Sequence, residues 1–483
     1  MTAGLKRAGA SLQVPNYRRY FIGQVVSLSG NWMQTVAVMW LVVQLSGSGV
    51  AVGLTAGLQF APMLLLGAYG GVLADRFDKR RLLLITQVLM ALPCVALAAL
   101  TFSGAIEVWM VYVAVALRGL VNAFDNPARQ AFVSEIVGAD RVVNAVSLNS
   151  VIVQSARIVG PAIAGLLIAL VGTAWVFVID ALTFAVMWVA LRGMHVAALH
   201  TVARTPRSPG QIRAAVAEVR RRPELWIPLS MMLVIGTISF EFAVLLPLFA
   251  DDVWHGTATS YALLTIAMGV GSIGGALVAG ARGRVGPGLL VVTAALFGVA
   301  ELAAAAAPSL PTQMLLLVPL GAVSVTFSAG INASLQLAAG EGLRGRVMAL
   351  YSVVFIGSTA IGGPAVGAVA QAFGPRLGFV LGGVAALTTA AAGAWAYARR
   401  GQLGNGLYAQ VTAPELPSTA HGTVDRPRAA PGRLRVAARP GPPAGPGAAP
   451  AAGAAAQAPH RSPLRRRRRA DGPAGGRLGV PRR

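Results

Sequence analysis

The chain has 483 residues, 55% of them hydrophobic and only 12% charged, whereas a soluble domain carries about 25% charged residues. Apolar runs of membrane-crossing length recur through most of it, which excludes a soluble globular protein. Their continuity also excludes an outer-membrane barrel, whose strands alternate. The net charge of +23 is uneven: residues 399–483 hold 16 arginines against three acidic residues, so more than half of the excess lies outside the apolar body.

Residues 1–19 are short and basic, which suits a cytoplasmic start, and residues 1–16 lack the apolar core of a cleavable leader. Twelve transmembrane helices are predicted at 20–45, 50–74, 82–103, 107–128, 143–171, 175–192, 226–250, 258–281, 287–307, 311–334, 346–373 and 376–398. Basic residues concentrate in alternate loops: Asp75–Arg81, Arg129 with Arg141, the 192–223 segment, Arg282 with Arg284, and Arg344 with Arg346. The intervening loops hold Glu107, Asp251 and Asp252, with Arg376 as their one basic residue. The asymmetry puts both termini in the cytoplasm of a multi-pass cell-membrane protein. Residues 1–192 and 226–400 read as two six-helix bundles. Residues 193–225 join them and end in a short basic helix over Gln211–Arg222 suited to the inner leaflet. Residues 401–483, rich in Pro, Ala, Gly and Arg, cannot bury a core and are expected to be disordered.

The two bundles read as copies. At an offset of 203 residues Gly71 meets Gly274, Phe124 meets Phe327, Arg141 meets Arg344, and Gly160–Pro161 meets Gly363–Pro364. Small residues four apart, such as Ala156, Gly160 and Ala164 or Thr359, Gly363 and Gly367, let helices approach closely in lipid. The fold class is therefore all-α, with twelve transmembrane helices as two six-helix repeats.

The stretch Gly71–Arg81, GVLADRFDKRR, is a charged knot between two apolar runs. It resembles the loop between helices two and three of the major facilitator superfamily, with Gly71, Leu73, Ala74, Asp75, Arg76, Lys79 and Arg80 fitting the pattern and Asp78 standing where that family has Gly. The resemblance implies a gating loop: there the Asp and Arg hold the two halves together on the cytoplasmic side and rearrange during transport. Asn126–Phe132, NPARQAF, is similar to the branch holding siderophore exporters and macrolide efflux proteins. Arg157–Gly165, RIVGPAIAG, resembles the Gly-Pro motif of exporters, with Gly160, Pro161 and Gly165 as its packing residues and Gly363 and Pro364 as their copies. The resemblance covers residues 15–400.

Polar residues fall in helical stripes. Arg118, Asn122, Asp125 and Arg129 share one face of the fourth helix, and Ser150, Gln154, Arg157 and Pro161 share one face of the fifth. Arg118 matches an arginine tied to proton coupling in the resembled family. Ionisable groups at membrane depth are expensive, so these faces line protein or water, and Arg118 with Arg157 could attract an anion. Asn31 and Gln34 in the first helix and Thr237 in the seventh are substrate-contact candidates, along with Arg118, Gln154 and Arg157, because first and seventh helices line the cavity of that superfamily. A carboxyl held away from water favours its protonated form. Of the three intramembrane carboxyls, Glu241 is the proton-site candidate on the seventh helix, with Asp125 and Arg118 beside it in that role. Asp180 and Glu301 fall on peripheral sixth and ninth helices and read as structural.

The sequence has no Walker-type phosphate loop, no metal-spaced His/Cys cluster and no nucleophile elbow. The expectation is therefore not an enzyme but a proton-coupled exporter of a small, drug-like or lipophilic molecule. It needs no cofactor or metal and works as a monomer, with protons, its substrate and the bilayer as partners and no nucleic acid. A dedicated siderophore or metabolite exporter, a lysolipid transporter and a non-transporting receptor are the alternatives. A chain truncated after Arg400 is expected to insert and to keep the full-length thermal midpoint in detergent; a midpoint several degrees lower would assign the tail a structural role.

Overall fold

The structure is a computed structural model that describes residues 10–200, 211–282, 284–402 and 409–410, all within one compact unit. Almost all of the 401–483 segment lies outside the described residues. Twelve helices are long and apolar enough to cross a membrane. The first six are Pro15–Ser46, Gly49–Gly67, Lys79–Ser103, Val108–Val137, Val142–Val171 and Thr173–Arg192; the second six are Pro223–Val253, Ala258–Ala281, Pro287–Ala305, Leu310–Gly340, Leu343–Phe373 and Pro375–Ala398. They are called here the first to twelfth spans.

Backbone chemistry sets the boundaries. Gly47 ends the first span in the left-handed region at φ 55°, where its N–H caps the Val43 carbonyl and where an L side chain would be strained. Asp78 caps the third span by accepting from the Arg81 N–H at 2.7 Å. Gly340, at φ 63°, separates the tenth span from the eleventh.

Two expected boundaries are corrected. The fourth span does not stop near residue 128 but runs to Val137, so Arg129 sits inside a helix rather than in a loop. Its charge is offset by Asp125 one turn earlier, which removes the cost that made a helix end look necessary. The seventh span is not one continuous helix over 226–250. Its first helix, Pro223–Ile238, and its second, Phe242–Leu248, are separated at Ser239–Glu241, and a π-turn follows over Phe249–Val253.

Close crossings follow the glycines, and they repeat between the halves. In the first half Gly119 of the fourth span lies against the Gln59 carbonyl of the second; in the second half Gly271 and Gly275 of the eighth span lie against Val318 and Ala322 of the tenth. Ala322 is the residue 203 positions beyond Gly119. Third and sixth spans likewise pair in one half, and ninth and twelfth in the other. The halves meet along two seams, second span on eleventh and fifth on eighth. On the first seam Gly49, Gly53 and Gly57 face Gly363, Pro364, Gly367 and Gln371. Gln371 Oε1 closes its end, accepting from the Ser48 hydroxyl at 2.6 Å and the Val50 N–H at 3.0 Å.

A Cβ placed on Gly53 would run into the Gly363 carbonyl, a backbone atom with no room to retreat. Gly53→Val is therefore expected to cost about 1–3 kcal/mol of stability by overpacking. Thermal unfolding of the detergent-purified variant measures this, and an unchanged midpoint would show that the seam opens readily.

Candidate functional site

The polar groups of the first half form two partnered clusters. In the first, Arg118 Nη1 meets Asp180 Oδ2 at 2.8 Å and Arg118 Nη2 donates to Asn31 Oδ1 at 2.5 Å. The Cys94 thiol donates to Asp180 Oδ2 at 3.2 Å, and the guanidinium lies 5.3 Å from the centre of the Phe184 ring. Four spans, the first, third, fourth and sixth, are thereby tied at one point. Asp180 is fully buried, so its charge depends on Arg118. Periodicity placed Arg118 on an inward face but gave no sign of its partner, which stands 62 residues further on.

The second cluster lies two turns further along the fourth span. Asp125 pairs with Arg129 at 2.8 Å and accepts from the Thr86 hydroxyl at 2.6 Å and the Gln87 amide at 3.0 Å. Arg129 also donates to Gln24 of the first span. Thr86 and Gln87 were missed as site residues; their signal was being the polar pair early in an otherwise apolar third span. Asp125 is thus held by three partners, and it is not an open carboxyl.

Arg157 has a different setting. It lies across the Trp32 ring, 5.1 Å from its centre, where first, fifth and eighth spans converge. Among the described residues it has no ion-pair or hydrogen-bond partner. Gly160 meets the first span at Trp32 and Met33, and Gly165 meets Ala262 of the eighth, so RIVGPAIAG builds this convergence. Gln34 is buried, Thr237 donates its hydroxyl to its own helix at Leu233, and the Gln154 side chain lies outside the described residues.

The Gly71–Arg81 loop is tied within the first half. Lys79 pairs with Glu135 at 2.6 Å, Arg80 donates to the carbonyls of Leu191 and Arg192 at 2.8 and 2.9 Å, and Arg76 is exposed. The second helix continues through Gly71 to Arg76, and the side chains of residues 71–75, Asp75 among them, lie outside the described residues.

The second half has no such ion pairs among the described residues. Glu241 stands at the break of the seventh span, fully buried, and neither of its oxygens has a hydrogen-bond partner among the described residues. A Cβ on Gly362 of the eleventh span would lie 2.6 Å from its Oε1. Around the break Phe240 meets Phe297 at 5.1 Å and Phe355 at 6.1 Å, and Phe242 meets Phe379 at 6.1 Å. The carboxyl is therefore set in an aromatic, apolar wall and not on an open surface of the seventh span.

The structure thus holds twelve membrane-crossing helices in two repeated sixes. A family profile described as transmembrane secretion effector matches residues 7–405. The chain belongs to that family, within the major facilitator superfamily. The Staphyloferrin A transporter of Staphylococcus aureus is 26% identical over 264 residues, covering 54% of this chain and 65% of the transporter, just under two thirds of its length. Macrolide efflux protein A of Streptococcus pyogenes is 24% identical over 286 residues, covering 57% and 68%. Multidrug efflux pump Tap of Mycobacterium tuberculosis is 28% identical over 343 residues, covering 68% and 80%. Among solved structures, a bacterial homologue of the human lysosomal transporter Spinster in an inward-facing conformation aligns with TM-score 0.61 at 15% identity, over 80% of this chain and 96% of that one. The nucleoside transporter NupG aligns with TM-score 0.63 at 13% identity, over 79% and 99%. These two share the fold, and the chain is a multi-pass membrane protein of the major facilitator type.

Removing one partner of a buried pair leaves the other charge uncompensated. Arg118→Ala or Asp180→Ala alone is expected to destabilise by about 3–5 kcal/mol, and the double variant less than the sum of the two. A thermal-unfolding double-mutant cycle checks this, and additive effects would argue against a coupled pair.

Proposed function

We propose that this family member is a proton-coupled exporter of a small lipophilic or drug-like molecule across the cytoplasmic membrane, working by alternating access between its two halves. The observation that carries the reading is Glu241. A fully buried carboxyl without a hydrogen-bond partner, at an interruption of a membrane helix, suits a group that is neutral when enclosed and ionises when water reaches it. The break gives it a way out, because Ser239–Glu241 lacks continuous helical bonding and can rearrange without melting a whole span. Two relatives named for efflux support export as the direction.

With both termini in the cytoplasm, the glycine seam at Gly49–Gly57 lies at the outer side and is closed. The Gly71–Arg81 loop then lies at the inner side, held within its own half, and would form its latch to the other half only when the inner side closes. Arg118, paired with Asp180, and Asp125, paired with Arg129, serve this reading as couplers of helix position to charge rather than as free carriers.

A second reading is favoured by Arg157. An intramembrane guanidinium stacked on an indole, with no counter-ion among the described residues, suits the acidic group of a cargo, which would make the chain an exporter of an anionic metabolite.

Cells carrying the chain should extrude one or more dyes of a lipophilic fluorescent panel, and extrusion should collapse with a protonophore and with Glu241→Gln. Extrusion that survives Glu241→Gln would remove that residue as carrier. Extrusion of acidic dyes only, lost in Arg157→Gln, would favour the second reading.

A further inference from the structure

The reading above uses one carboxyl of the second half, but that half encloses two. Glu301, on the ninth span, is 1% exposed, and neither of its oxygens has a hydrogen-bond partner among the described residues. A Cβ on Gly382 of the twelfth span would stand 2.8 Å from its Oε1 and 2.9 Å from its Oε2, so the carboxyl fills the room this glycine leaves. The carbonyl of the same Gly382 accepts the Ser239 hydroxyl at 2.8 Å, and Ser239 opens the break that ends at Glu241. Glu241 in turn fills the room beside Gly362. Two carboxyls, each beside a glycine of a different span, are thus tied to one three-residue interruption.

A scaffold carboxyl in this protein looks different. Asp180 meets Arg118 at 2.8 Å and the Cys94 thiol at 3.2 Å, as the low dielectric of a bundle demands of a permanent charge. Among the described residues, no charged side chain faces Glu301 or Glu241. The polar groups beside them are the hydroxyls of Ser239 and Thr359 respectively. Phe297, one turn before Glu301 on the same span, is buried and lies 6.1 Å from Phe242. An ionised carboxylate is costly in such a place, so this packing accommodates the uncharged, protonated form of both. The Ser239 hydroxyl bonds a carbonyl of the twelfth span that is itself adjacent to Glu301. Movement at the break would therefore open Glu301 and Glu241 together.

We infer that Glu301 is a second proton-carrying carboxyl of this transporter, working with Glu241 across the broken seventh span. The inference rests on the proton-coupled reading, and the experiment below needs no cargo, so the two can fail separately.

The full chain in nanodiscs is followed by infrared spectroscopy in H2O and D2O across a pH series, beside Glu301→Gln and Glu241→Gln. The expected result is a protonated-carboxyl C=O band at neutral pH with two components, one lost in each variant. Both components should shift in D2O and fade at alkaline pH, because a carrier exchanges with bulk water. No component lost in Glu301→Gln, or one that neither shifts in D2O nor responds to pH, would overturn the inference: the first would mean an ionised group, the second a sealed structural acid. If Glu301→Gln does not fold, the wild-type protein is treated with dicyclohexylcarbodiimide, which modifies protonated buried carboxyls, and mapped by peptide mass. Modification of Glu301 that falls as pH rises supports the carrier, while modification of Glu241 alone overturns it. Dye extrusion lost in Glu241→Gln with Glu301 sealed would leave a single-carrier exporter.

Discussion

An ionised group inside a bilayer must find a partner, because neither lipid nor neighbouring apolar side chains can replace its water. The structure meets this demand in different ways in its two halves. In the first, Arg118 with Asp180 and Asp125 with Arg129 neutralise one another, and Asn31, Thr86, Gln87, Gln24 and Cys94 take up remaining hydrogen-bonding capacity. These clusters join the first, third, fourth and sixth spans into a body whose charges are internally balanced. In the second half, Glu241 and Glu301 have no such partners, and their surroundings are phenylalanines and glycines.

On the proton-coupled reading proposed above, that asymmetry gives the two repeats different work. A bundle held by ion pairs is stiff around them, since separating either charge leaves the other stranded. A bundle whose acids are unpaired can change their protonation at lower cost, provided a segment moves to admit water. The interrupted seventh span supplies such a segment, with the Ser239 hydroxyl bonded to the Gly382 carbonyl of the twelfth span at the break itself. The seams between the halves use close backbone contact at glycines and contain no ion pair among the described residues, which suits surfaces that must part and re-form.

The carboxyls also show how much of the candidate site could be read beforehand. Arg118, Asp125, Arg157 and Glu241 stood out because an ionisable residue in an apolar run is conspicuous whatever surrounds it. Their states did not. Arg118 and Arg157 look alike in sequence, yet one is paired and the other lies on Trp32, because only one of them has an acid on a facing span. Asp180 and Glu301 were given the same structural reading, yet one is an ion-pair partner and the other has no partner.

The sequence by itself determined the twelve spans, their grouping into two copies and the places of close helix approach. Each of these follows from local composition: length and apolarity for a span, recurring glycines at one offset for a repeat. Only the tertiary structure decided which acids are neutralised, that the fourth span continues through Arg129, and that the seventh is interrupted beside Glu241. Apart from the Asp125–Arg129 pair, one turn apart, those outcomes depend on groups brought together from as far as 143 positions apart. No periodicity along the chain records such distances, because the partner of a buried charge is set by which helices pack and not by what precedes or follows it in sequence.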